Sequence, residues 1–133
     1  MIKKTVQYVD FNGDSQTEDI YFNLSKAELT EMEASYNNGL KSTIQKISEA
    51  KDNGALIAIF KNILTRSVGK RSEDGKRFIK NEQIIEEFVS SEAYSTLFME
   101  LAFNADAAVD FIAGVVPKDL INKEEILKAK SHA

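Results

Sequence analysis

KTVQYVDFNGDSQTEDIYFNLSKAEL, residues 4–29, decides the fold class, because two strand-like runs and a helix start follow one another with only turn chemistry between them. Thr5, Val6, Tyr8, Val9 and Phe11 are β-formers in an alternating run, and Asn12-Gly13-Asp14 supplies residues that tolerate a tight reversal. Ile20, Phe22 and Leu24 then recur at period two, which sets them on one face and Asp19, Tyr21 and Asn23 on the other. The spacing predicts a β-hairpin over 4–24 with Ile20, Phe22 and Leu24 toward the core. Ser25 and Glu28 have capping-box spacing and Leu24 can staple onto Leu29, so a helix is expected from about Lys26 to Tyr36. Asn37-Asn38-Gly39 stops it, since Asn and Gly tolerate the left-handed conformation at a helix end.

Downstream the period changes to that of helices. Leu40, Ile44 and Ile47 form a narrow apolar stripe that ends at Asp52-Asn53-Gly54. Leu56, Ile57, Ile59, Phe60, Ile63, Leu64 and Val68 leave only a thin polar strip, which predicts a buried central helix capped by Gly69. After a polar loop over 69–77, Phe78-Ile79 reads as a short strand or a bridging turn. Asn81 is placed to cap a helix bearing Ile84, Ile85, Phe88 and Val89, and Ser90 or Ser91 to cap one bearing Tyr94, Leu97, Phe98 and Leu101. Asn104 separates that helix from a last core helix with Ala108, Val109, Phe111 and Ile112, which Pro117 ends. Asn122 and Glu125 offer a second capping box for a helix within 118–131, with only Ile126 and Leu127 to dock it. No repeat, low-complexity tract or linker divides the chain. The expectation is one α+β domain, mostly α, over residues 1–133: a hairpin, a compact bundle of five to six helices within 25–116, and a loosely attached C-terminal helix.

Composition narrows the function. Hydrophobic residues at 43% and charged residues at 29% support a packed core rather than wholesale disorder. A net charge of −4 disfavours nucleic acid as the global partner, because phosphate binding needs surplus Lys and Arg. The chain has no Cys, hence no disulfide, thiol nucleophile or thiolate metal site, which suits a reducing cytoplasm. No apolar run approaches the roughly 18 residues of a membrane span, and MIKKTVQYVDFNGD has no signal-type apolar region. His132, the single histidine, is next to the last residue, so no His-based catalytic arrangement is expected. Gly69 to Arg77 lacks Walker A spacing, with five residues between the glycines and an Arg after the Lys. Asp10-Phe11-Asn12-Gly13-Asp14 begins like a calcium loop, but Tyr21 stands where the bidentate Glu belongs. Adjacent carboxylates such as Glu86-Glu87 diverge by about 100° on a helix and read as surface charge. No enzyme, cofactor or metal site is expected.

What remains is recognition. Lys70, Arg71, Lys76, Arg77 and Lys80 put five positive charges into eleven residues against Glu73 and Asp74, a local charge of +3. This basic loop is either a mobile charged turn or a contact for acids or phosphates on a partner. Phe88, Tyr94, Phe98 and Phe103 follow at helical spacing, a pattern that belongs mostly to a core. Tyr94 and Met99 are the members suited to a rim, since Tyr has a polar end and Met adapts to irregular partners.

Several strings resemble one family. They are Phe22-Asn23-Leu24-Ser25-Lys26-Ala27-Glu28-Leu29 after a hairpin, Gly75-Lys76-Arg77-Phe78-Ile79-Lys80, Glu87-Phe88, and Ala93-Tyr94 ahead of Leu97-Phe98. Over about residues 6–116 the chain resembles the tail assembly chaperones of long noncontractile-tailed phages and prophages of Gram-positive bacteria. The resemblance implies a non-enzymatic protein of the host cytoplasm that binds the tape measure protein, keeps it soluble and recruits tail tube subunits. It also implies absence from the mature virion, and the chain is similar to the short, non-frameshifted form. Carried over residue by residue, the partner-binding candidates are Lys76, Arg77, Phe78, Lys80, Phe88, Tyr94 and Phe98, with Phe78 and Phe98 alternatively structural anchors. An apolar helical face on a tape measure protein needs an apolar groove bordered by charge, which a small helical binder can offer. Two alternatives stay open: a small nucleic-acid-binding phage regulator using the basic loop, and a head-tail connector or tail terminator subunit that self-associates into rings.

Overall fold

The computed structural model describes residues 1–36 and 52–115, together with 39, 42, 45, 46, 49 and 50. Its described part is an α+β fold in which helices cover one face of a four-stranded antiparallel sheet. Strands β1 (Ile2–Val9) and β2 (Ser15–Phe22) form the expected hairpin in continuous register from Ile2↔Phe22 to Val9↔Ser15. Asp10 builds its turn: the carboxylate accepts the Asn12 and Asp14 N–H groups at 2.9 Å each, and Gln16 Nε2 at 2.8 Å. These bonds, led by that from Gln16, hold the Asp10 pKa below its ordinary value. As the alternation requires, Ile20, Phe22 and Leu24 are buried while Asp19 is exposed and Tyr21 and Asn23 are half-buried.

Helix α1 (Lys26–Ser35) starts on a complete capping box. Ser25 Oγ accepts the Glu28 N–H at 3.1 Å, and Glu28 Oε1 accepts the Ser25 N–H at 3.0 Å. Such a cap stabilises a helix by about 1 kcal/mol, and the flanking Leu24 and Leu29 are both buried. The stripe of Leu40, Ile44 and Ile47 and the helix expected within 118–131 lie outside the described residues.

A greasy helix follows as α2 (Asn53–Ser67), capped by Asp52, whose carboxylate accepts the Ala55 N–H. Its C-terminal half is the buried part: Ile59, Ile63 and Leu64 are core, whereas Ile57 is exposed. The helix does not end on Gly69. Val68 already has extended backbone, at φ −66° and ψ 138°, and opens strand β3 (Val68–Arg71), which pairs with β2 through Phe22↔Val68 and Tyr21↔Gly69. Strand β4 (Phe78–Ile79) pairs back onto β3, so the Phe78-Ile79 pair is a strand. The expected hairpin followed by an uninterrupted helical bundle is therefore corrected to a hairpin extended into a sheet by a second hairpin set between helices. Gly69 misled because it is not in the left-handed conformation of a helix cap. It is glycine because a Cβ there would lie 2.5 Å from Phe78 Cε2 and 2.7 Å from the Ile79 carbonyl oxygen.

Three helices complete the described fold: α3 (Glu82–Val89), α4 (Glu92–Ala102) and α5 (Ala105–Val115). Asn81 Oδ1 accepts the Ile84 N–H at 2.8 Å and Asn104 Oδ1 the Ala107 N–H at 3.1 Å, both in the capping roles their positions predict. Ser91 stands at the N-cap of α4 but turns its hydroxyl to the Phe88 carbonyl instead. At the core's centre, fully buried Phe22 sits edge-on between Phe88 at 5.6 Å and Phe111 at 5.1 Å. Those rings bring strand β2, helix α3 and helix α5 together, each pair adding about 0.5–1.5 kcal/mol beyond its buried area.

Candidate protein-recognition surface

The basic loop is a hydrogen-bonded hairpin. Ser72 N–H donates to the Arg77 carbonyl at 2.9 Å, and the Arg77 N–H returns to Ser72 Oγ at 3.0 Å. Inside the loop the Asp74 carboxylate accepts the Ser72 hydroxyl at 2.6 Å and the Lys76 N–H at 3.0 Å, and Gly75 takes the positive φ of +73° that the reversal needs. The Ser72 bond is the first cause of a depressed Asp74 pKa, so the carboxylate keeps its charge in the loop. Lys76 and Arg77 are thereby held out at the tip, exposed and without an ion pair among the described residues.

Phe78 and Lys80 are turned to a different use. Phe78 is the cross-strand partner of Arg71 and shares its sheet face with Tyr21, opposite the buried face of Phe22 and Val68. Its half-buried ring packs over Gly69, with Lys80 Nζ 5.7 Å from the ring centre. Lys80 Nζ then donates at 2.6 Å to the Asn23 carbonyl and at 2.6 Å to Glu28 Oε2. One cation thus joins β4, the end of β2 and the first turn of α1. Burial would raise the Glu28 pKa, but the Lys80 bond and the Ser25 N–H outweigh it and the net shift is downward.

The helix-borne aromatics lie on the other face of the sheet. Phe88 is buried, and its ring meets Tyr94 edge-on at 5.2 Å; Tyr94 continues to Phe98 at 5.8 Å. Tyr94 and Phe98 are half-buried at the margin of the core, and burial pushes the Tyr94 hydroxyl pKa up. Met99 at 53% and Phe103 at 77% exposure lie outward on α4, so Phe103 is not the core residue that its spacing suggests. The seven candidate residues accordingly form three groups: Lys76 and Arg77 at the hairpin tip, Phe78 and Lys80 on one sheet face, and Phe88, Tyr94 and Phe98 on the helix face.

A groove of about 630 Å³, bounded by β2, the β3–β4 hairpin and α3, takes only Phe88 of the seven into its lining. Ile20, Val68, Ile84 and Phe88 supply its apolar lining, with Glu18, Asp19, Glu73 and Glu87 as acids and Lys70 and Arg71 as bases, so the lining is acidic on balance. Arg71 is fixed by its stack on Tyr21, at 4.7 Å to the ring centre, and by a 3.3 Å bond to the Tyr21 hydroxyl. The Arg71–Tyr21 pair spans fifty residues of sequence, so no local pattern announces it. On the far wall the Tyr8 hydroxyl donates to Glu18 at 3.4 Å; desolvation first, then the Glu18 charge, raise its pKa. Among the described residues no group of three or more His, Asp or Glu side chains is placed to hold a metal ion, and no helix is long and apolar enough to cross a membrane.

Comparison with known proteins agrees with the resemblance in the sequence strings. A protein-family model described as "Phage tail assembly chaperone" matches residues 1–132. No curated protein and no solved structure matches the chain.

Proposed function

The chain belongs to the phage tail assembly chaperone family, a non-enzymatic family, and from that premise we propose that it binds the tape measure protein of its phage. In this reading it keeps the long tape measure helix soluble, recruits tail tube subunits around it in the host cytoplasm, and leaves before the virion is complete. The family match over nearly the whole chain carries the proposal, and the structure supports it with a hydrogen-bonded cationic tip and a groove of mixed apolar and charged lining. That combination suits recognition of a partner with apolar faces and acidic flanks. Lys76 and Arg77 are the proposed direct contacts, with Tyr94 and Phe98 at the rim. Phe78, Lys80 and Phe88 hold those elements in place.

Reversing the tip charge tests this assignment. Lys76→Glu together with Arg77→Glu is expected to weaken capture of the tape measure protein at least tenfold while leaving the melting temperature unchanged, because both side chains are exposed. Undiminished capture by that double variant removes the tip from the contact. Mass spectrometry of purified virions tests the role as a whole: a chaperone is missing from the particle, whereas a connector or terminator subunit is present in stoichiometric amount.

A further inference from the structure

The geometry points to strand addition: the groove takes an extended segment of the tape measure protein, which pairs with the free edge of β2. Backbone phase carries this inference. Asp10 N–H donates to the Asp14 carbonyl at 2.9 Å, so the antiparallel alternation turns the backbone groups of Gln16, Glu18 and Ile20 toward β1. Those of Ser15, Thr17 and Asp19 turn away from it. The other end of the strand confirms the phase, because Tyr21 faces Gly69 and the Asn23 N–H donates to the Ser67 carbonyl at 2.8 Å. Strand β3 satisfies that end only, since its pairing with β2 stops at Tyr21↔Gly69 and it continues as the partner of β4.

Ser15, Thr17 and Asp19 therefore present N–H and C=O groups that pair with no described residue, on a stretch whose side chains are exposed. An open sheet edge of this kind is a template for another strand. Here it borders the apolar groove, whose volume falls within the range of about 300–1,000 Å³ typical of ligand clefts. An added helix would leave the β2 groups unsatisfied, since its own backbone is paired internally. An extended segment satisfies them and sends alternate side chains to opposite faces. The matching segment has apolar residues toward Ile84 and Phe88 and is basic on balance, since the lining holds Glu18, Asp19, Glu73 and Glu87 against Lys70 and Arg71, and Arg71 is already taken by Tyr21. The opposite edge of the sheet, along β1, carries Lys3 and Lys4 near its start, side chains that discourage strand pairing.

This docking mode rests on the chaperone reading, because the segment belongs to a tail protein. Amide hydrogen exchange of the wild-type chain, alone and bound to full-length tape measure protein, tests it, with tail tube protein as a separate arm. Exchange at Ser15, Thr17 and Asp19 is expected to slow at least tenfold in the tape measure complex; slowing in the tail tube complex alone overturns the assignment to the tape measure protein. A complex with unchanged exchange at these amides overturns strand addition and leaves the chaperone reading standing; no complex in either arm overturns both. Thr17→Pro removes an edge N–H that β1 does not use and is expected to weaken binding at least tenfold. Gln7→Pro, opposite Thr17 in register with its N–H on the other edge, serves as the matched control and retains binding within about twofold. Equal loss in both variants also overturns the proposal. If either variant fails to fold, the wild-type exchange arm decides alone.

Discussion

Replacing Lys80 by Met separates a scaffold role from a contact role at a residue whose sequence setting suggests recognition. The ammonium makes two bonds of 2.6 Å, to the Asn23 carbonyl and to Glu28 Oε2, with the Lys80 side chain 18% exposed and that of Glu28 37% exposed. A hydrogen bond from a charged group contributes about 1.5–3 kcal/mol, and this one is partly buried. The ion pair adds less, about 0–1 kcal/mol, because water screens the more exposed Glu28. Met keeps the apolar stem over Phe78 and removes only the charge. The expected destabilisation is about 2–3 kcal/mol in urea titrations followed by circular dichroism. At about 4 °C per kcal/mol for a chain of this size, the melting temperature falls by about 8–12 °C. Below the transition the folded variant should still capture the tape measure protein with unchanged affinity. A stability change under about 0.5 kcal/mol together with lost capture would refute the reasoning, since it makes Lys80 a contact rather than a tie between β4 and α1.

Two further predictions concern the same elements. Gly69→Ala drives a Cβ against Phe78 and the Ile79 carbonyl, and because the carbonyl belongs to a paired strand the cost is that of overpacking, about 1–3 kcal/mol by chemical denaturation; a neutral substitution contradicts the β3–β4 packing. Glu28 has its folded-state pKa lowered from 4.5, so the stability it contributes is present above that pH and is lost as pH falls through the lower folded value. Glu28→Gln should flatten the acid limb of the stability-versus-pH curve, and an unchanged limb contradicts the Lys80–Glu28 link.

Local signals in the chain reach as far as their mechanism does. The first hairpin, the capping box at Ser25 and Glu28, and the caps at Asn81 and Asn104 are legible because each is set by residues within a few positions of one another. The second hairpin is not, since Val68 and Gly69 leave the helical pattern to pair with Phe22 and Tyr21, more than forty residues earlier. Gly69 serves a close approach that looks in sequence like a helix stop. The same holds for the candidate surface. Lys76 and Arg77 are legible as exposed charge beside Asp74-Gly75, whereas Lys80 in the same string and Phe88 beyond it turn inward to Glu28 and Phe22. The groove depends on where β2 and β3 part, which no single segment encodes.

Co-expression decides whether this member of the tail assembly chaperone family binds and protects a tape measure protein, as proposed. With the chain present, the tape measure protein of the same phage is expected in the soluble fraction and to co-purify with it in a stable complex. An insoluble tape measure protein with no complex recovered, while the chain itself is folded, would contradict the account.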